Sequence, residues 1–390
     1  MRVAVVAGPE PGHAFPAIAL CLRLRDAGDE AVLFTGRQRL EAADRAGLTA
    51  VELAGLEAGE SDDDSDAGAK IHRRAARMAV LNLPEMRRVK PDLVVSDAIT
   101  ACGGMAAELL GIPWAELSPH PLYLPSRGLP PVGSGLAPGA GLTGRLRDAA
   151  MRALAAPSIR AGARQRAAAR RGIGLPESDP GPRRRLIATL PALEVPRPDW
   201  PAEAVVVGPL HFEPTAATLP VPSGSGPLVV VAPSTAVTGA AGLAELAVRH
   251  LEPGRTLPPG ARLVISRLGG EALELPPWAT AGLGRQDEVL RAADVVVCGG
   301  GHGMLSKALL AGVPVVAVPG GGDQWELANR VARQGSGRLV RPLNGESLAS
   351  AVGEVLAGPG YRQAAGRAGA SVVGAADPVA VCREALNRTG

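Results

Sequence analysis

A chain of 390 residues exceeds the usual size of a single core, so two domains are expected. Apolar residues make up 46% of it, which supplies real cores and excludes a disordered chain. A net charge of +3 is too small for this length to argue for nucleic-acid binding.

The opening RVAVVAG (2–8) predicts a strand, because its apolar run is too short for a signal peptide and ends in a turn. A helix is expected over 15–28, stopped at Gly28, then a strand over 30–36, a helix over 39–47 and a strand over 49–55. The acidic stretch EAGESDDDSD (57–66) has no apolar periodicity and predicts a polar loop. PDLVVSD (91–97) is a buried strand, followed by a helix over 99–111 and the strand IPWAELS. Residues 144–172 carry many arginines on an alanine-rich background, and Pro157 and Gly162 predict two short helices with a solvated face.

Residues 205–226 are rich in Pro, Gly, Ser and Thr, after which the alternation restarts. Strands are expected over 227–235, 261–267, 294–300 and 313–319, and helices over 241–251 and 303–312. Such alternation predicts an α/β chain of two doubly wound parallel halves facing across a cleft. The divisions are an N-terminal domain 1–207, a linker 208–226, a C-terminal domain 227–376, and a last helix, 377–390, returning to the first domain. No stretch approaches 18 uninterrupted apolar residues, so a cytoplasmic protein is expected. Cys21, Cys102, Cys298 and Cys382 lie far apart without ligand spacing, so neither a metal site nor a disulfide framework is expected.

The first turn, GPEPGH (8–13), lacks the GxGxxG spacing through which a dinucleotide approaches backbone, which disfavours a nicotinamide enzyme. It does put His13 at the carboxyl end of a strand, where open α/β sheets bind ligands. Asp97 ends a neighbouring strand and either orients that imidazole or caps the helix that follows. VVVCGGGHGM (295–304) is a strand–helix junction whose bare N–H groups suit a diphosphate. Asp323 and Gln324, opening the next helix, suit vicinal hydroxyls such as those of a sugar.

With those residues in view the chain resembles the GT-B glycosyltransferases of the UDP-glycosyltransferase superfamily, bacterial natural-product type. The likeness covers nearly the whole chain. It runs through GPEPGHAFPAIALCLRLRDAGDEAVLFTG and PDLVVSDAITACGGMAAELLGIP, and most strongly through the segment from Gly284 to Gly337. The resemblance implies His13 as general base and Asp97 as its support, for an inverting transfer to a hydroxyl of a small, hydrophobic acceptor. It implies a nucleotide-diphosphate sugar donor, UDP or dTDP, held by Ser234, Thr235, Arg285, Gln286, Gly300, Gly301, His302, Gly303, Met304, Asp323 and Gln324. The acceptor side would be Pro11, Gly12, Ile99 and His120. No cofactor or metal is expected, no nucleic-acid or integral-membrane partner, and a monomer or homodimer. The Asp-rich run at 61–65 is expected to be solvated loop rather than a manganese site.

Two departures stand out. Gly299 replaces the family's phosphate-facing histidine, and Met304 replaces a hydroxyl residue. His302, Arg285 or backbone N–H groups would then carry the diphosphate, and restoring His at 299 with Thr at 304 should tighten nucleotide binding. A catalytically silent homologue that serves a partner, or a nucleotide-sugar epimerase or hydrolase, is the alternative.

Overall fold

The computed structural model describes residues 1–57, 66–235, 239–269 and 273–387. The Asp-rich run at 61–65 lies outside them. The first half comprises β1 (Arg2–Val6), α1 (Pro11–Asp26), β2 (Glu30–Thr35), α2 (Arg37–Arg45) and β3 (Thr49–Glu52). It continues with α3 (Ala67–Leu81), α4 (Leu83–Val89), β4 (Leu93–Asp97), α5 (Cys102–Leu110) and β5 (Trp114–Ser118). The long α6 (Gly141–Arg171), β6 (Arg185–Ile187) and β7 (Ala204–Val206) complete it. All seven strands are parallel, in the order β3-β2-β1-β4-β5-β6-β7.

The second half opens with β8 (Leu228–Ala232), α7 (Leu243–His250), β9 (Arg262–Ser266) and β10 (Ala279–Gly282). Then come α8 (Gln286–Ala292), β11 (Val295–Cys298), α9 (His302–Leu310), β12 (Val315–Ala317), α10 (Asp323–Arg333) and β13 (Gly337–Leu339). Three helices finish the chain: α11 (Gly345–Ala357), α12 (Pro359–Ala370) and α13 (Pro378–Asn387). This sheet is also parallel, in the order β10-β9-β8-β11-β12-β13.

Helices cover both faces of each sheet, which is why the central strands are near-continuous Val and Leu without polar alternation. Val3 to Val6, Val229 to Val231 and Val295 to Val297 are fully buried. Each sheet reverses its strand order once, between β1 and β4 and between β8 and β11, leaving a crevice at the carboxyl ends there. α13 crosses back to the first half, where Val379, Val381, Cys382 and Ala385 join the core around β1 and α1. Among the described residues no helix is long and apolar enough to cross a membrane.

Two elements differ from the expectations. α1 starts at Pro11 rather than residue 15, because proline is pre-shaped for a first helical turn and needs no N–H there. His13 therefore sits in the helix, in its first turn, and not in the turn before it. The arginine-rich segment is one helix of 31 residues that runs through Pro157 and Gly162. Pro157 lies on the exposed side, so the backbone bond it forgoes is open to solvent. Both ends are anchored: Asp148 accepts from the Gly139 N–H at 2.7 Å, and the Arg170 guanidinium donates to both Glu108 oxygens at 2.9 and 2.7 Å.

Candidate active site

A cavity of about 370 Å³, the scale of a small-ligand site, lies between the two crevices. Both halves and the connecting segment line it.

On the first half, Val6 and Ser96 are paired on adjacent strands, so the residues that follow β1 and those that end β4 are neighbours. His13 Nδ1 is 2.7 Å from Asp97 Oδ1. A carboxylate only accepts, so Nδ1 carries the proton and Nε2 keeps its lone pair. Asp97 is 2% exposed, and its other oxygen accepts from Thr100 Oγ1 at 2.9 Å and from the Ile99 N–H at 3.3 Å. It thus orients the imidazole and ties a local turn at once; the helix itself starts later, at Cys102. Thr100 Oγ1 in turn accepts from the Gly8 N–H at 2.8 Å, which locks the β1–α1 turn to β4. Burial works against the imidazolium. The hydrogen bond and charge of Asp97, with the charges of Glu10 and Asp323, outweigh it, so the His13 pKa lies above the ordinary 6.5. Pro11, Gly12, Ile99 and His120 all line the cavity beside His13.

On the second half, Ser234, Thr235, Gln286, Gly301, His302, Gly303, Met304, Asp323 and Gln324 line the opposite wall. Gly300 stands behind them at φ +79°, a conformation that favours glycine, with Gln324 O 3.1 Å from where a Cβ would be. Gln324 is 3% exposed: its Oε1 accepts from the Gly320 N–H at 3.1 Å and its Nε2 donates to Ser234 Oγ at 2.9 Å. That amide clamps the β12–α10 loop to the end of β8, while its neighbour Asp323 is exposed towards the cavity.

The structure corrects the substitutes for the missing histidine. Arg285 does not line the cavity; its guanidinium donates to Asp287 at 3.0 and 2.7 Å and pairs with Glu288 at 3.2 Å. His302 does line it, yet its Nε2 is hydrogen-bonded to Thr189 Oγ1 of the first half at 2.8 Å. Burial pushes the His302 pKa down to about 3, so it is a neutral bridge between halves rather than a cation for a phosphate. The vacancy left by the glycine is also filled. A Cβ on Gly299 would lie 2.7 Å from Ser234 Cβ and 3.2 Å from its backbone. A histidine there has no room unless Ser234 moves.

Several lining residues carry no periodic or motif signal. His211, Phe212 and Glu213 come from the segment between the sheets, whose composition reads only as loop. Lys307 Nζ donates to Glu213 Oε1 at 2.6 Å and to Gln286 Oε1 at 3.0 Å. The other Glu213 oxygen accepts from the Gln286 N–H at 3.0 Å, which seats α8 against the connecting segment. His211 Nε2 meets Ser306 Oγ at 2.8 Å and is likewise held neutral by burial and by Lys307, at about 3. Lysine occurs at only three positions of the chain, Lys70, Lys90 and Lys307, and that scarcity is the one local mark any member of this group carries.

No family model matches the chain. Over 94% of its length and 94% of the relative's it is 29% identical to the 4'-demethylrebeccamycin synthase of Lentzea aerocolonigenes. Over 19% of this chain and 18% of the relative it is 45% identical to a PGL/p-HBAD biosynthesis glycosyltransferase of Mycobacterium tuberculosis. The glycosyltransferase SsfS6 of Streptomyces sp. SF2575, solved with thymidine diphosphate, superposes with a TM-score of 0.65 at 21% identity, covering 98% of each chain. The two facing parallel sheets are thus the GT-B fold, and the sequence is similar from end to end to a glycosyltransferase of natural-product biosynthesis.

Proposed function

We propose that the protein transfers a sugar, with inversion, from a nucleoside diphosphate donor to a hydroxyl of a small apolar acceptor. The observation that carries this is His13, backed at 2.7 Å by the buried Asp97, lining one wall of a cavity whose opposite wall is the glycine junction. His13 Nε2 takes the proton as the acceptor oxygen bonds to the anomeric carbon and the bond from that carbon to the diphosphate breaks. The imidazolium that forms is offset by Asp97. The departing diphosphate lies against the N–H groups at the start of α9, whose positive end favours the growing charge. That helix end fills the place of a cation, so chelator is expected to leave turnover unchanged. SsfS6, with the same fold, was solved with thymidine diphosphate, which supports a nucleoside diphosphate as a ligand.

Titration calorimetry with UDP, dTDP and GDP tests the donor side. Binding of at least one at micromolar to millimolar concentration, without acceptor, is the expected result. Failure of all three at millimolar concentration would favour a silent homologue. Gly299, which has no side chain, and Met304, whose thioether has no proton to donate, give that second reading its support.

The pH dependence tests the base. Turnover needs His13 unprotonated, and its pKa is raised, so kcat/KM should climb with pH through a value above 6.5. In Asp97→Asn the imidazole keeps an acceptor at Nδ1 but loses the charge that raises its pKa. The acid limb is expected to move to lower pH, and a limb that stays in place would assign it to another group.

A further inference from the structure

Two histidines of the first half face the cavity, and they are prepared for different tasks. His120 Nδ1 is 2.8 Å from the Pro121 carbonyl oxygen. A carbonyl only accepts, so this nitrogen carries the proton and Nε2 has the lone pair. The ring lies nearly flat on Tyr123, centres 4.5 Å apart and planes 14° apart, so its direction is set. Among the described residues no group bonds to Nε2, although the residue lines the cavity. Burial lowers the His120 pKa and the nearby His13 adds to this, outweighing the Pro121 bond and the acidic neighbours. No carboxylate stands behind it as Asp97 stands behind His13. His120 is thus a neutral, immobile hydrogen-bond acceptor, poorly suited to be a base.

Its surroundings make that lone pair consequential. The neighbouring walls are apolar: Phe15 and Phe212 meet with ring centres 5.7 Å apart, and Ile99 is 59% exposed beside them. A buried acceptor in such a wall costs free energy if a ligand covers it without donating to it. The His120 and His13 rings lie edge to face with centres 6.4 Å apart. Both rings line the same cavity, so a single small acceptor that carries two donors can reach them together.

We propose that His120 Nε2 accepts a hydrogen bond from a second O–H or N–H of the acceptor, adjacent to the hydroxyl that His13 deprotonates. The acceptors selected are then apolar ring systems carrying paired hydrogen-bond donors, and blocking the second donor is penalised. This rests on the assignment of the first half as the acceptor side.

The probes are 2,3-dihydroxynaphthalene and its monomethyl ether, 3-methoxy-2-naphthol, titrated by fluorescence at pH 7.5 into protein with its nucleotide diphosphate bound. Wild-type protein is expected to bind the diol about 10-fold or more tightly than the ether, as sites built to pair a hydroxyl do. In His120→Phe the two affinities should fall within about 2-fold of each other, and in His120→Gln, which keeps an acceptor oxygen, part of the preference should remain. Nucleotide affinity and the unfolding midpoint, measured on each variant, report whether it folds; should the phenylalanine variant not fold, the glutamine variant and the wild-type ratio decide. Equal affinities in wild type, a preference that survives in His120→Phe, or no binding of either naphthol while nucleotide binds would each overturn the proposal. A protein that binds the naphthols with the stated preference but no nucleotide diphosphate would instead overturn the donor assignment.

Discussion

His13→Ala should lower kcat/KM for an alkyl-alcohol acceptor by about 10²–10⁴-fold, the usual worth of a positioned general base. That corresponds to about 3–5 kcal/mol of lost transition-state stabilisation. The size follows from the acceptor's chemistry: an unactivated alcohol is a poor nucleophile, and Nε2 of His13 is the lone pair backed by a carboxylate at 2.7 Å. The fold should tolerate the change, because Asp97 keeps its bonds to Thr100 and the Ile99 N–H. Nucleotide affinity should be retained, since the glycine junction belongs to the other sheet. Asp97→Asn should cost less, because the base stays in place and only its orientation energy and charge balance change. Phenols ionise more readily and are expected to show a smaller loss. Near-normal turnover of an alkyl alcohol by His13→Ala would show that proton removal is done elsewhere.

Much of this arrangement is visible in the sequence because it depends on strand ends. A β-branched run followed by glycines, or by a lone histidine or aspartate, marks the carboxyl edge of a parallel sheet whatever the rest of the chain does. Those marks place His13, Gly301 and Asp323 on one cavity, with Asp97 directly behind His13. What sequence could not show is how polar groups are shared between segments distant in the chain. His302 reads as a phosphate ligand until Thr189, 113 residues away, takes its Nε2. Arg285 reads as a cation for the donor until Asp287 and Glu288 turn it aside. Gln324 reads as a sugar ligand, and its amide is found holding Ser234 and Gly320. Glu213 sits in a stretch without periodicity, so nothing local marks its pairing with Lys307. Two helices also differ from the expectation, and proline is the reason. Proline reads as a breaker in sequence, yet Pro11 starts a helix and Pro157 is carried within one whose ends are anchored.

Gly299→His, which would restore the family's phosphate-facing side chain, is expected to weaken nucleotide binding here. A Cβ at 299 falls 2.7 Å from Ser234 Cβ and 3.2 Å from Ser234 Cα and N, so a backbone segment must yield and not just a side-chain tip. Those neighbours cannot yield cheaply. Cys298 and Ala232, the residues that end β11 and β8, are paired in the fully parallel sheet, and Ser234 Oγ is held by Gln324 at 2.9 Å. Overpacking of this kind costs about 1–3 kcal/mol, which is about 5–150-fold in affinity if it falls on the bound state. Glycine at 299 thus permits a close approach of the two strand ends, with Ser234 at the cavity wall. A second substitution separates this from a simple loss of fold. Ser234→Gly removes the atom at 2.7 Å, so the double variant Gly299→His/Ser234→Gly should recover affinity relative to Gly299→His alone. Calorimetry with UDP or dTDP reads both, and the unfolding midpoint follows the packing. If Gly299→His by itself binds nucleotide more tightly than the native chain, the two strand ends separate more easily than this geometry implies. The glycine would then be a tolerated loss and not a fitted contact.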